Sequence, residues 1–297
     1  MAKGSALSAS QVKSAIDYNK ARLSTLLPAV RTAMGLFSIG GMDEAFVRAV
    51  ADWQEAHIGH GEGDGKVGPK TEAYLCIPHP KALLAVAKAR AILSKGGILF
   101  DDWGSDLRDN NNDGHVDDAK ERQASDGAHF GRTYSSFRVV AGTYSGLGWK
   151  YNRSLTVPAS QTVLGSFQYM VCADVVSKAY AEAGVMKAVR STALILQAFR
   201  SKGYVWRRST GYPAKYVPGD FICTLGHGGG HSGIVVDYAP TSTVPKVIEL
   251  PGPSTQVDLG TYNPASKNDV RQGNWTKSGV TDPTVNYLGR LLVSKLH

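Results

Sequence analysis

Apolar positions recur at helical spacing through the first third of the chain, and short strand-like runs enter only after Phe130. Val12, Ile16, Leu23, Leu26, Leu27, Val30 and Met34 are loosely periodic and predict a helical lead segment over residues 1–38, interrupted at Pro28. Gly40-Gly41 ends a glycine-bounded joint. Phe46, Ala49, Val50 and Trp53 then form one helical face, Asp64-Gly65 signals a turn, and Gly68-Pro69 opens a second helix carrying Ala73 and Leu75. Lys81 to Lys95 reads as a further helix rich in alanine and leucine, stopped by Gly96-Gly97. Residues 39–98 are thus expected to form a small all-α module.

The C-terminal pattern is mixed. From Cys172, the residues Val175, Val176, Ala179, Tyr180 and Ala183 follow helical spacing, Asp174, Ser177, Lys178 and Glu182 take the opposite face, and Gly184 is a natural stop. A helical stretch covers Ala193 to Arg200. Pro218-Gly219-Asp220 leads into the strand Phe221-Ile222-Cys223, His231 heads the next strand, and Lys246 to Leu250 makes a third with Glu249 as its only acid. The expected class is α+β, with residues 131–297 as one mixed domain behind the helical module.

Composition narrows the setting. A chain of 297 residues, 42% hydrophobic and 20% charged, has room for two modest globular domains and does not default to disorder. Its net charge of +8 points to an anionic partner. The densest basic cluster, Tyr204-Val-Trp-Arg-Arg208, is short, so nucleic acid is not the expected partner. Three cysteines, Cys76, Cys172 and Cys223, fit neither a zinc pattern nor a disulfide framework and are read as free thiols. No apolar stretch reaches the roughly 18 residues of a transmembrane span. The first residues lack the apolar core of a secretory signal. Synthesis in the cytoplasm without a signal peptide, and export by another route, is the resulting expectation.

Residues 99–130 read as an acidic linker. Within it Asp109, Asn111, Asp113, Gly114 and Asp117 occupy positions 1, 3, 5, 6 and 9 of a calcium-loop template, with the His115 carbonyl at position 7. Lys120 stands where a bidentate glutamate is needed, so Glu121 or Asp118 would have to close the shell. The segment is a candidate structural Ca²⁺ site; its other reading is an acidic surface turn that holds no metal.

The chemistry-bearing pattern is the order Cys172, His231, Glu249. A thiol at a helix N-terminus meets unsatisfied backbone N–H groups and the positive end of the helix dipole, which favour thiolate. A histidine can take or hold the thiol proton, and a third polar group fixes the imidazole tautomer. This is what thiol acyl transfer requires, with no cofactor for catalysis. Alone, Cys172 reads first as a small core residue that begins an amphipathic helix. Cys223 reads as core, His227 as a loop residue of the turn before His231, Asp237 as a strand-end acid, and Trp149, Trp206 and Trp275 as packing residues.

Two resemblances follow from these residues. Trp53-Gln54 and Asp64-Gly-Lys-Val-Gly-Pro-Lys-Thr71 resemble the peptidoglycan-binding module found at the ends of many bacterial wall hydrolases. Gly148-Trp-Lys-Tyr151, Cys172, Pro218-Gly-Asp220, Gly230-His-Ser-Gly-Ile234 and Glu249-Leu-Pro-Gly-Pro253 are similar to the signature of the NlpC-type, papain-like cell-wall cysteine peptidases. Two departures stand out: Val171-Cys172-Ala173-Asp174 replaces the usual Asp-Cys-Ser-Gly, and Glu249 replaces a common third histidine. The resemblance implies a papain-like fold with Cys172 as nucleophile, His231 as base, Glu249 as orienting group and Tyr151 as a wall or hydrogen-bond donor of the site.

It further implies an endopeptidase for peptidoglycan, cutting between D-glutamate and the third stem residue. The alternatives are an N-acetylmuramoyl-L-alanine amidase, a phage endolysin, a thiol acyltransferase on a protein substrate, and a catalytically inactive wall-binding or structural protein. Without a secretory signal, the first expectation is an antibacterial effector of a contractile (type VI) secretion system. It would act in the target-cell periplasm, with a cognate immunity protein and a secretion-system component as partners.

Overall fold

The computed structural model describes residues 6–95, 98–100, 133–138, 142–145, 154–157, 164–170, 172–189, 191–225, 230–250, 270–275 and 286–295. The candidate calcium ligands Asp109, Asn111, Asp113, His115, Asp117 and Glu121 lie outside the described residues, as do Tyr151, Trp149, Val171 and His227.

Five helices precede the mixed region: α1 (Ala9–Arg22), α2 (Leu27–Met34), α3 (Glu44–His57), α4 (Pro69–Tyr74) and α5 (Pro80–Lys95). Local chemistry sets their ends. The Ser8 side chain accepts from Gln11 N while Gln11 answers on the Ser8 amide, a reciprocal cap. Pro28 does not break a long helix but opens α2, where its missing N–H costs nothing, and Gly35 ends α2 in the left-handed region at φ 70°. Asp43 caps α3 through Phe46 N. Leu7, Val12 and Ala15 bury against Val47 and Ala51, so the lead helix α1 packs on α3.

The mixed region carries a six-stranded antiparallel sheet in the order β12-β11-β9-β8-β13-β6. Its strands are β6 (Gly203–Arg207), β8 (Phe221–Thr224), β9 (His231–Val235), β11 (Lys246–Glu249), β12 (Arg271–Asn274) and β13 (Asn286–Leu291). Shorter strands lie outside it: β1 (Ile98–Phe100), β2 (Thr133–Arg138) and β5 (Leu164–Met170) form one small sheet, β3 (Gly142–Ser145) pairs with β4 (Ser154–Val157), and β7 (Lys215–Tyr216) pairs with β10 (Ala239–Pro240). The class is therefore α+β, a mixture of helices with an antiparallel sheet.

Strand alternation divides the core in two. On one face Phe221, Cys223, Ile234 and Ile248 meet helix α6 (Cys172–Glu182), helix α7 (Thr192–Lys202) and α5, with Tyr180 and Phe199 fully buried between them. On the other face Ile222, Val235, Val247 and Leu288 pack with Trp206, Tyr216, Trp275 and Ala73 of α4. Helix α5, grouped by sequence with the module 39–98, buries Ala82, Ala85, Val86, Ala89 and Ile92 in the core that α6 shares. Four of its buried positions are alanine or valine, which lets two helices approach closely.

That close approach explains the Pro218-Gly219-Asp220 entry. Gly219 has φ +84°, and a Cβ there would meet Ala82 at 2.6 Å, so any side chain would be both strained and in collision. The Gly219 carbonyl accepts the Tyr180 hydroxyl at 2.9 Å. Asp220 then accepts from Val217 N and binds the buried Arg290 of β13 through both carboxylate oxygens, at 2.8 and 2.6 Å. The same guanidinium donates to the carbonyls of Ala73 and Lys215. One buried cation therefore ties the helical module to the sheet.

Candidate active site

Helix α6 begins at Cys172 and is buried along most of its length: Asp174 and Ser177, expected on a solvated face, are 2% and 0% exposed. The reason is tertiary. With α5, α7 and the sheet around it, α6 has almost no free face. Ser177 stays satisfied because its hydroxyl donates to Val189 O at 2.6 Å and accepts from Val189 N at 3.0 Å. The Cys172 thiol sits at the start of this rigid element and lies 3.6 Å from the Gly230 carbonyl, immediately before His231.

His231 heads β9 and is buried. In the β9/β11 register Gly233 stands opposite Glu249, which puts Glu249 diagonal to His231 on the same sheet face. Their side chains meet: His231 Nε2 is 2.8 Å from Glu249 Oε2. That leaves Nδ1 as the ring nitrogen turned away from Glu249; the Cys172 thiol, which lies 3.6 Å from Gly230 O, is near enough for thiol and imidazole to act on each other electrostatically. The ring stacks on Trp275, centroids 4.9 Å apart and planes 20° apart. Gly233 makes room for that indole, since a Cβ there would come within 3.0 Å of it. Imidazole orientation is thus set by a carboxylate at one end and an indole beneath.

The electrostatics favour an ion pair. Burial by itself pushes His231 towards the neutral form, but its hydrogen bonds to Cys172 and Glu249 and their negative charge outweigh burial and raise it to about 9. Burial likewise opposes the Cys172 thiolate; the His231 hydrogen bond and positive charge, helped by the Ser232 hydroxyl and amide, lower the thiol below its ordinary value. Ser232 Oγ is buried and meets no partner at hydrogen-bond geometry, so its influence on the sulfur is that of a nearby dipole. Cys223 shows the contrast. It is fully buried among apolar residues, and burial, with the neighbouring Cys172, drives its thiol strongly upward.

Two members of the site carried no functional signal in the sequence. Arg271 of β12 lies directly opposite Glu249 in register and donates to Glu249 Oε1 from Nε at 3.2 Å and Nη2 at 3.0 Å. Trp275, read as a packing residue, is indeed buried, yet its packing partner is the site imidazole. The short polar run Arg271-Gln-Gly-Asn274 has no apolar alternation from which to read a strand, so nothing linked either residue to Glu249. Of the other residues weighed, Asp237 is exposed and Trp206 is buried against Tyr204 and Tyr74.

In the helical module Gln54 is the hub of the loop that begins at Asp64. Its amide nitrogen donates to Asp64 Oδ1, Lys66 O and Thr71 Oγ1, and its amide oxygen accepts from Gly65 N, all within 2.9–3.0 Å. Asn19 of α1 grips the same loop through Gly65 O and Val67 N, both at 2.9 Å. These bonds account for the Gln and Asp-Gly positions of that motif as devices for holding the loop. Among the described residues there is no group of three or more His, Cys, Asp or Glu arranged to hold a metal, and no helix long and apolar enough to cross a membrane.

No protein-family model matches the chain, and neither a curated protein nor a solved structure matches it.

Proposed function

We propose that the chain is a papain-like thiol hydrolase that cleaves an amide bond in the peptide stem of peptidoglycan. The observation that carries this reading is the buried His231–Glu249 hydrogen bond beside the helix-start thiol of Cys172, whose ionisation the imidazole favours. The Cys172 thiolate attacks the amide carbonyl carbon, and the oxyanion forms beside the positive end of the α6 dipole. His231 gives its proton to the leaving amine as the C–N bond breaks, and a thioester remains. Water then adds to the thioester while His231 takes its proton; the C–S bond breaks, the acid is released and the thiolate returns. Glu249 keeps Nδ1 directed at sulfur and stabilises the imidazolium, the role a carboxylate has in a serine triad.

The substrate class rests on the resemblance of both parts of the chain to wall-acting proteins and on the +8 charge, which suits an anionic wall. The favoured bond is the one between D-glutamate and the third stem residue, and the function an antibacterial effector acting in the periplasm of a target cell. The test is digestion of purified sacculi followed by mass spectrometry. Release of fragments with a new free D-glutamyl α- or γ-carboxylate supports the reading, whereas release of intact stems indicates the amidase alternative. Equal digestion by the Cys172→Ala variant would overturn the mechanism.

A further inference from the structure

His231 and Ser232 are neighbours on β9, and their side chains leave the strand on opposite faces of the sheet. His231 shares its face with Glu249 and Trp275. Ser232 stands directly opposite Cys223 in the β8/β9 register, so it faces the core that Cys223 and Ile234 share with α6. That helix begins at Cys172, whose sulfur lies 3.6 Å from the carbonyl of Gly230, two residues before Ser232. The start of β9 therefore brings an imidazole and a hydroxyl to one thiol.

Ser232 is fully buried, and its Oγ has no hydrogen-bond partner among the described residues. Ser177, equally buried, has two on Val189. A hydroxyl left idle in a core is costly, and an alanine in its place would remove the cost, so the position calls for a physical reason. The sulfur supplies one. A neutral thiol is a weak acceptor, whereas a thiolate is charged and takes a much stronger hydrogen bond. The hydroxyl proton rotates freely about its Cβ–Oγ bond, so the donor can turn to the sulfur without any movement of β9. Ionisation of Cys172 satisfies a group that the neutral state leaves idle, and both the hydroxyl and the amide of Ser232 favour the thiolate. The donor is in place before the charge forms.

We propose that the Ser232 hydroxyl holds the Cys172 thiolate: it has no partner while the sulfur carries a proton, and it donates O–H···S⁻ once that proton has passed to His231. The inference rests on Cys172 being the reactive thiol. A change at Ser232 leaves the titratable groups around the sulfur in place, namely His231 backed by Glu249 and Arg271, Cys223 with Arg200 of α7 beyond it, and Asp174 on α6 itself. From α5, Lys88 pairs with Glu182 at the other end of α6. The test is the rate of iodoacetamide alkylation of Cys172 in the full chain, read by peptide mass spectrometry between pH 4.5 and 9.5. Ser232→Ala, which removes one oxygen from the core, is expected to slow alkylation about tenfold on the acid limb of the profile and to leave the alkaline plateau unchanged. A merely structural role would not move the limb without the plateau. A variant profile that superimposes on wild type, equal slowing at every pH, or a change confined to Cys223 overturns the proposal. Wild-type labelling of Cys172 no faster than that of Cys223 overturns the thiol reading and this inference with it; selective labelling with a superimposing Ser232→Ala profile overturns this inference alone.

Discussion

Glu249 divides its two oxygens between His231 and Arg271: Oε2 lies 2.8 Å from the imidazole Nε2, and Oε1 lies 3.0 Å from the guanidinium Nη2. The carboxylate is fully buried, whereas the Arg271 side chain is 37% exposed. A buried anion thus orients the imidazole and is itself held by a half-exposed cation from the neighbouring strand. The consequences differ for each of the two contacts.

Replacing Glu249 with Gln keeps the shape and removes the charge. His231, held at about 9 in part by that charge, should lose its proton at lower pH. In the proposed mechanism the rate depends on thiolate with imidazolium, so it rises as the thiol ionises and falls as pH climbs through the histidine value. Glu249→Gln is expected to move the falling limb to lower pH and to cut kcat roughly 100- to 10,000-fold. The pH profile of kcat/KM on a synthetic stem peptide measures both.

Arg271→Gln should act in the opposite direction on pH. Removing a cation that shares Glu249 leaves the carboxylate more fully available to the imidazolium, so the falling limb moves to higher pH, while kcat falls about tenfold as orientation loosens. Lysine at 271 should restore the pH limb but not the full rate, because it lacks the planar fork. A limb that moves down instead would assign Arg271 a merely structural part.

The same ion pair has a stability signature. A histidine raised from 6.5 to about 9 on folding contributes stability that is complete below about pH 6.5 and is lost as pH rises through about 9. Wild type minus His231→Gln, compared by thermal melts from pH 5 to 10, should show a Tm difference that shrinks across that window.

Iodoacetamide should separate the two buried thiols. Cys172, lowered by His231, is expected to alkylate well before Cys223, whose thiol burial pushes strongly upward. Peptide mass spectrometry after brief labelling at pH 6.5 reads the ratio, and comparable labelling of both would count against the ion pair.

Asp220→Ala should be far more damaging than any surface change. It strands Arg290, 2% exposed, as an unpaired buried charge and removes the acceptor for Val217 N. Loss of one partner from such a pair costs about 3–5 kcal/mol, which urea denaturation would report as a lowered midpoint.

The helical and strand positions were legible because they follow from local spacing: period near 3.6 in α3, α5 and α6, short apolar runs in β8, β9 and β11, and caps or glycines at the ends. Cys172 at a helix start and His231 at a strand head could be read in the same way, since each needs only its own neighbours in the chain. The partner of α5 could not, because an alanine-rich stripe fits either the module or the α6 side of the sheet. Nor could the burial of Asp174 and Ser177, which depends on three elements closing over one helix.

What sequence alone determined was therefore the identity and order of Cys172, His231 and Glu249 and the elements that carry them. Tertiary structure decided that the imidazole bonds Glu249 beside the Cys172 thiol, that Arg271 and Trp275 complete its surroundings, and that Arg290 joins the helical module to the sheet. The reason is register: pairing β9 with β11 and β11 with β12 is a non-local choice, and a one-residue slip would turn Glu249 to the opposite face and away from His231.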